Sequence, residues 1–232
     1  MDLSRWLSRA TDEIQGWESS HGPFAVHPSM NVDEAALQAA FDALVVRLRN
    51  SYPFFHPRYA GQMLKPPHPA AVVGYVAGML INSNNHALDG GPATSELEVE
   101  VVEQLAAMFG MQTHLGHLTT SGTIANLEAL FVARESHPGV AVALSAEAHY
   151  THTRMCHLLG LPTRTVAVDP HGRMDPAALS DLLGTGEVGT VVATVGTTGR
   201  GAVGEQCSEP VDRPGVGCLV GCGGRTFPGD RL

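Results

Sequence analysis

Lysine is almost absent. In 232 residues it occurs once, as Lys65, and every other basic side chain apart from histidine is an arginine. Chemistry that needs an amine side chain must therefore use Lys65 or go without. Aromatic residues are also few, at 6%. No apolar run approaches the ~20 residues that a membrane-spanning helix needs. Met1-Asp2-Leu3-Ser4-Arg5-Trp6 is not followed by the apolar segment of a secretory signal, so the cytoplasm is the expected compartment. The four cysteines, Cys156, Cys207, Cys218 and Cys222, make no disulfide framework in a chain of this length. Positive charge is in deficit: the net charge of −9 and pI of about 5.7 argue against a nucleic-acid backbone or an anionic membrane as partner. The 44% hydrophobic content suffices for one sizeable core, or for one domain plus an arm.

What the chain does have is a run of small polar residues, Thr119-Thr120-Ser121-Gly122-Thr123-Ile124-Ala125-Asn126. It opens onto a helical pattern in which Leu127, Leu130, Phe131 and Arg134 share a face by spacing. A Ser-Gly-Thr turn at a helix start offers free backbone N–H groups and two hydroxyls at the positive end of the helix dipole. That is a seat for a phosphate. An ordinary capped helix has the same appearance, since Ser and Thr are preferred at that position.

Around this turn the elements are punctuated clearly. Leu3, Trp6, Leu7, Ala10, Ile14 and Trp17 form a helical stripe. A second helix is expected from Asn31, with Glu34 completing a capping box and Leu37, Ala40, Phe41, Leu44, Val45 and Leu48 as its stripe. Residues 51–68 are a loop whose prolines prevent regular helix. A helix follows over 70–81. Another is expected behind Thr94 as N-cap, turning Leu97, Val101, Leu105 and Met108 to the core and ending at Gly110. From there strands alternate with helices: strands over 140–144, 165–168 and 190–195, and helices over 123–136, 149–159 and from Asp175-Pro176 to Leu183. Apolar strands separated by helices predict a parallel sheet covered on both faces. In such sheets ligands gather at the carboxyl ends of the strands. The order of 119–123, 145–149 and 196–198 would bring hydroxyls, the His149 imidazole and a glycine turn to one rim.

Four segments carry a likeness to a known family: His56-Pro57-Arg58-Tyr59-Ala60-Gly61-Gln62, Ala93-Thr94-Ser95-Glu96-Leu97-Glu98, Thr120-Ser121-Gly122-Thr123-Ile124-Ala125-Asn126, and Ala148-His149-Tyr150. Val168-Asp169-Pro170-His171-Gly172-Arg173-Met174-Asp175 and Gly196-Thr197-Thr198 extend it. In this order the chain resembles the group II pyridoxal-phosphate-dependent amino-acid decarboxylases over about residues 50–203. The resemblance implies an α/β fold of fold type I: an incomplete, mostly parallel sheet flanked by helices, with an N-terminal helical arm. It implies a homodimer acting on a small-molecule substrate, an L-amino acid that is glutamate-like or aromatic, by decarboxylation with pyridoxal 5′-phosphate. Residues 1–69 would be the arm and a substrate-side loop, and 70–203 part of the cofactor-binding domain. Ser121, Gly122 and Thr123 would hold the cofactor phosphate, His149 would stack on the pyridine ring as the catalytic imidazole, and Thr198 would touch the cofactor from the next strand end. His56 and Arg58 would line the substrate side.

The pattern then breaks. The family continues to an aspartate that pairs with the pyridine nitrogen and to a lysine that holds the cofactor aldehyde. Here residues 204–232 are crowded with Gly, Pro, Arg and Cys and show neither. That composition fits a product that is C-terminally truncated and read out of frame, with an aberrant, disordered tail. Lys65 sits in a Pro-rich loop, a poor place for an activated amine. Asp175 reads as a helix cap and Asp169 as a strand exit. The twelve histidines, among them His114, His117, His152 and His157, complete no recognised metal set, so no metal is expected. A fragment that binds the cofactor weakly, without catalysis, is the second reading.

Overall fold

The computed structural model describes residues 1–59, 61 and 66–203, and the backbone of 217–222 and 225–229. Lys65 lies outside the described residues. The chain forms two compact units, Met1–Leu97 and Glu98–Leu232.

The first unit is helical. Helix α1 (Leu3–Ser20) starts where the Asp2 carboxylate accepts a hydrogen bond from the Arg5 amide. Its half-buried positions Leu3, Leu7, Ala10 and Ile14 recur at helical spacing. This helix packs along α3 (Pro69–Ile81), whose own half-buried residues are Val72, Val73, Val76 and Ala77. Trp6 and Trp17, placed on the same stripe by spacing, stay 42% and 52% exposed. Between them α2 (Glu34–Leu48) begins two residues later than the capping box suggested. Asp33 takes the cap because its carboxylate accepts from both the Ala35 and Ala36 amides. Apart from half-buried Val45, the α2 stripe is exposed, including Leu37, Phe41, Leu44 and Leu48.

Helix α4 (Pro92–Met108) starts at Pro92, not behind a Thr94 cap. Proline lacks the amide that a first turn would leave unpaired, so it suits this position better. The Thr94 hydroxyl instead donates to the Gly91 carbonyl at 3.1 Å. The helix ends as expected: Gly110 has φ +73° and the Met111 amide closes onto the Ala106 carbonyl. Its expected core face does not hold. Leu97, Val101 and Met108 are exposed, and Ala106 is the buried residue.

The second unit is built on a sheet of order β2-β1-β3-β4-β5. Strands β1 (Ala141–Ser145), β2 (Thr163–Val166) and β3 (Val188–Val195) are mutually parallel. All five residues of β1 are buried, as are the first six of β3, the mark of a sheet covered on both faces. Alternation splits the core in two. Val142, Leu144 and Val192 pack with Ala129, Leu130 and Ala133 of α5 (Gly122–Ser136) and Met155 and Cys156 of α6 (Tyr150–Leu158). Ala141, Ala143 and Val191 pack on the other side with Leu179 and Leu183 of α7 (Pro176–Gly184). Helices α5 and α6 therefore share one face of the sheet and α7 covers the other.

Two details depart from the expected pattern. The buried face of α5 is Asn126, Ala129, Leu130 and Ala133, whereas Phe131 is 46% exposed under the Arg134 guanidinium. Strand β2 stops at Val166, and Val168 instead bridges Met174 across a turn that Asp169 closes by accepting from the His171 and Arg173 amides. Within the tail expected to be irregular, β4 (Gly217–Cys222) pairs parallel to β3 and β5 (Arg225–Gly229) pairs antiparallel to β4. The backbone ladder of β3 offers a free edge there, and any extended segment can pair with it. Among the described residues no helix is long and apolar enough to cross a membrane.

Candidate active site

Ser121 is the N-cap of α5, and its hydroxyl accepts from the Ile124 amide at 3.3 Å. The Thr119 hydroxyl donates to the Ser121 carbonyl at 2.9 Å and steadies the approach to the helix. Helix geometry leaves the Gly122 and Thr123 amides without carbonyl partners inside the helix, and neither donates to another described residue. Ser121 and Thr123 are exposed and Gly122 is half-buried. The turn thus presents two N–H groups, the Thr123 hydroxyl and the positive end of a 15-residue helix to one place. These are the donors a phosphate monoester requires.

His149 caps the neighbouring helix α6. Its Nδ1 accepts from the Thr151 amide at 3.4 Å and lies 2.8 Å from the Thr151 hydroxyl. Thr151 is 2% exposed and receives a second contact, from Asn126 Nδ2 at 3.1 Å. Asn126 is 1% exposed and sits one turn into α5. Two buried side chains, Thr151 and Asn126, therefore tie the half-buried His149 ring to the helix that carries the Ser-Gly-Thr turn. The His149 carbonyl is gripped as well. It accepts from the His152 amide at 3.0 Å and from His152 Nδ1 at 3.1 Å. Burial pushes the pKa of His152 down, against the pull of that carbonyl and helped by the charge of His149. Its Nε2 has no partner among the described residues. Deeper in α6, burial raises the Cys156 thiol to about 11.

The third rim segment follows β3. In the 196–202 loop the Thr197 amide donates to the Ala202 carbonyl, and the Thr197 hydroxyl accepts from the Ala202 amide. Thr197 is buried by this closure, whereas Thr198 is exposed. The Arg200 guanidinium reaches Glu147, between β1 and α6, at 3.7 Å. The loops after β1 and β3 thus adjoin at the carboxyl end of the sheet. A cavity of about 10 Å³ between Ser145, Ala193, Thr194 and Thr197 is far too small for a pyridine ring, so the usable surface is the open rim.

The structure brings the 121–123 turn, His149 and the 196–202 loop to one end of one unit. His56 and Arg58 are exposed in the other unit, where His56 Nδ1 accepts from the Arg58 amide. Asp169 is held by Arg173, and the hydrogen bonds of the Arg173 and His171 amides with the Arg173 charge keep its pKa low. Asp175 caps α7 through the Ala177 and Ala178 amides. Neither is free to meet a pyridine nitrogen. Asn126, Thr151 and the Glu147–Arg200 pair carried no role in the sequence reading. A polar residue four positions before Leu130 on a buried helix face was the signal for Asn126.

No family model matches the chain. It is 31% identical over 153 residues to the "Probable L-tyrosine/L-aspartate decarboxylase" of Methanoculleus marisnigri, a match covering 65% of this chain and 40% of that protein. Its fold matches the crystal structure of mouse CSAD in apo form with a TM-score of 0.71 and 24% identity, over 86% of this chain and 46% of the other. It also matches Oryza sativa TDC with PLP and tryptamine, with a TM-score of 0.54 and 24% identity, over 88% of this chain and 50% of the other. The architecture is that of the fold-type I enzymes. Within that class, the chain is similar to group II pyridoxal-phosphate-dependent amino-acid decarboxylases. It spans about two fifths of the length of the curated relative and about half of the solved structures.

Proposed function

We propose that the protein decarboxylates an L-amino acid with pyridoxal 5′-phosphate, and that this chain supplies the phosphate seat and the ring-facing imidazole. The observation that supports it is the tie from the α5 turn through Asn126 and Thr151 to His149, because one cofactor must meet both groups. Ser121, Gly122 and Thr123 would hold the phosphate by amide and hydroxyl donation. His149 would lie flat against the pyridine ring, with an edge left to guide the substrate carboxylate. Thr198 would close the rim from the β3 loop. His56 and Arg58 would line the substrate side. When bound, the cofactor supplies an electron sink for the bond electrons that departing carbon dioxide leaves behind. The site fits that cofactor in part: phosphate and ring face are provided for, while the described residues include no lysine for the aldehyde, and Asp169 and Asp175 are engaged away from a ring nitrogen.

The exposed stripe of α2, Leu37, Phe41, Leu44 and Leu48, supports a homodimer in which this arm covers a second copy. The substrate is acidic or aromatic, the two classes named together in the Methanoculleus marisnigri relative. The compartment is the cytoplasm. A second reading is favoured by the engagement of Asp169 and Asp175: the chain binds the cofactor without turning over substrate.

Borohydride reduction of the purified chain with pyridoxal phosphate, followed by peptide mass spectrometry and a carbon dioxide assay with L-tyrosine, L-aspartate and L-glutamate, separates the readings. A pyridoxyl adduct at Lys65 with gas release supports catalysis by this chain. Saturable binding without an adduct supports the second reading. Absence of binding overturns both.

A further inference from the structure

Thr151 and Asn126 fix more than the position of the His149 ring. An amide nitrogen can only donate. Asn126 Nδ2, 3.1 Å from Thr151 Oγ1, therefore takes a lone pair of that hydroxyl. The oxygen keeps a second lone pair and its proton, so the direction of its 2.8 Å bond to His149 Nδ1 is set by that ring nitrogen. The Thr151 backbone N–H, also a donor only, points at the same Nδ1 from 3.4 Å. Two donors thus converge on one ring nitrogen. A nitrogen that receives N–H and O–H donors must carry its lone pair there, so the neutral ring keeps its proton on Nε2.

From this geometry we infer that Asn126 and Thr151 are positioning residues that lock His149 as the Nε2–H tautomer. The locking groups are 1% and 2% exposed, so water does not compete with them, while His149 itself is half-buried. Its backbone is immobilised in the same turn by the two donors of His152 on its carbonyl. The lock determines what the imidazole offers outward. With Nδ1 turned into α6, the outward edge carries an N–H donor, which suits an anionic carboxylate and rejects a second donor such as an ammonium group. This deepens the function proposed above and rests on it only for the identity of that anion, the carboxylate of an amino-acid substrate.

The tautomer is read without cofactor or turnover. Long-range ¹H–¹⁵N correlation spectra of the full-length chain at pH 8, with His149→Gln used to assign the signals, report which ring nitrogen bears hydrogen. The expected result is a His149 with an unprotonated Nδ1 and a protonated Nε2. In Thr151→Val the Nδ1–H form rises on the order of tenfold, as loss of one directed hydrogen bond implies. In Thr151→Ser, which keeps the hydroxyl, the original pattern returns. A wild-type His149 with its proton on Nδ1 overturns the inference, and so does a Thr151→Val spectrum identical to wild type. Should Thr151→Val not fold, the wild-type and Thr151→Ser spectra still decide the matter. Pyridoxal phosphate binding, measured separately, keeps the two proposals apart. A correct tautomer without cofactor binding removes the functional reading alone, and a wrong tautomer with His149-dependent binding removes the inference alone.

Discussion

Replacing Thr151 by valine keeps the shape of the side chain and removes one hydroxyl. In wild type that hydroxyl meets Asn126 Nδ2 at 3.1 Å and His149 Nδ1 at 2.8 Å. His149 is half-buried and can turn to water, so its loss is small. Asn126 is 1% exposed, and the amide loses an acceptor that solvent cannot replace. A net hydrogen bond is worth about 1 kcal/mol and a buried group left short costs about 1–3 kcal/mol, which together suggest a loss of about 2 kcal/mol. For a chain of this size that lowers the midpoint of thermal unfolding by about 4–8 °C. Circular dichroism melts and urea titrations of wild type, Thr151→Val, Asn126→Leu and the double variant provide the assay. Because the two residues share one interaction, the double variant should lose about 1 kcal/mol less than the sum of the single losses. A Thr151→Val protein as stable as wild type, or strictly additive losses, would refute the buried relay.

Further outcomes follow from burial. His152 is 2% exposed and its folded-state pKa lies below the ordinary 6.5, so protonation favours the unfolded chain. Stability should be full above that value and fall as the pH drops below it, and His152→Leu should flatten the fall between about pH 7 and pH 5 in urea titrations. Cys156, raised to about 11 by burial, should resist iodoacetamide in the native chain at pH 8 and react once unfolded. Its contribution to stability should be lost as the pH rises from about 9 through about 11, by the opposite sign of linkage. Gly189→Ala would place a Cβ 2.7 Å from His137 Cβ and against Val140 at the start of β3, and should cost about 1–3 kcal/mol as overpacking does, read by the urea midpoint.

Much of the α/β half was legible because its signals are local. Asp175-Pro176 announced a capped helix, and the apolar runs at 140–144 and 190–195 read as covered strands, which the fold places at Ala141–Ser145 and Val188–Val195. The Ser121 cap was legible for the same reason. The faces of helices were less so. On α5 the spacing groups Phe131 with Leu130, but which arc meets the sheet depends on where β1 and α6 lie, and Asn126 and Ala133 took the place of Phe131 and Arg134. On α4 the apolar positions are real, yet Leu97, Val101 and Met108 face outward. The Asn126–Thr151 bond spans 25 residues, a separation that no local pattern encodes. Pairing of 217–222 beside β3 was invisible for a related reason, since backbone ladders make few demands on composition.

The proposed function stands or falls with a phosphate that docks on the α5 turn beneath the His149 ring. Parallel equilibrium titrations of the full-length chain with pyridoxal 5′-phosphate and with pyridoxal, which lacks the phosphate, test it most directly. The phosphorylated compound should bind more tightly by about tenfold or more, as charge-assisted donors imply. Thr123→Asp, which sets a carboxylate in the seat, should abolish the difference. Equal affinities for the two compounds, or a preference that survives Thr123→Asp, would contradict it.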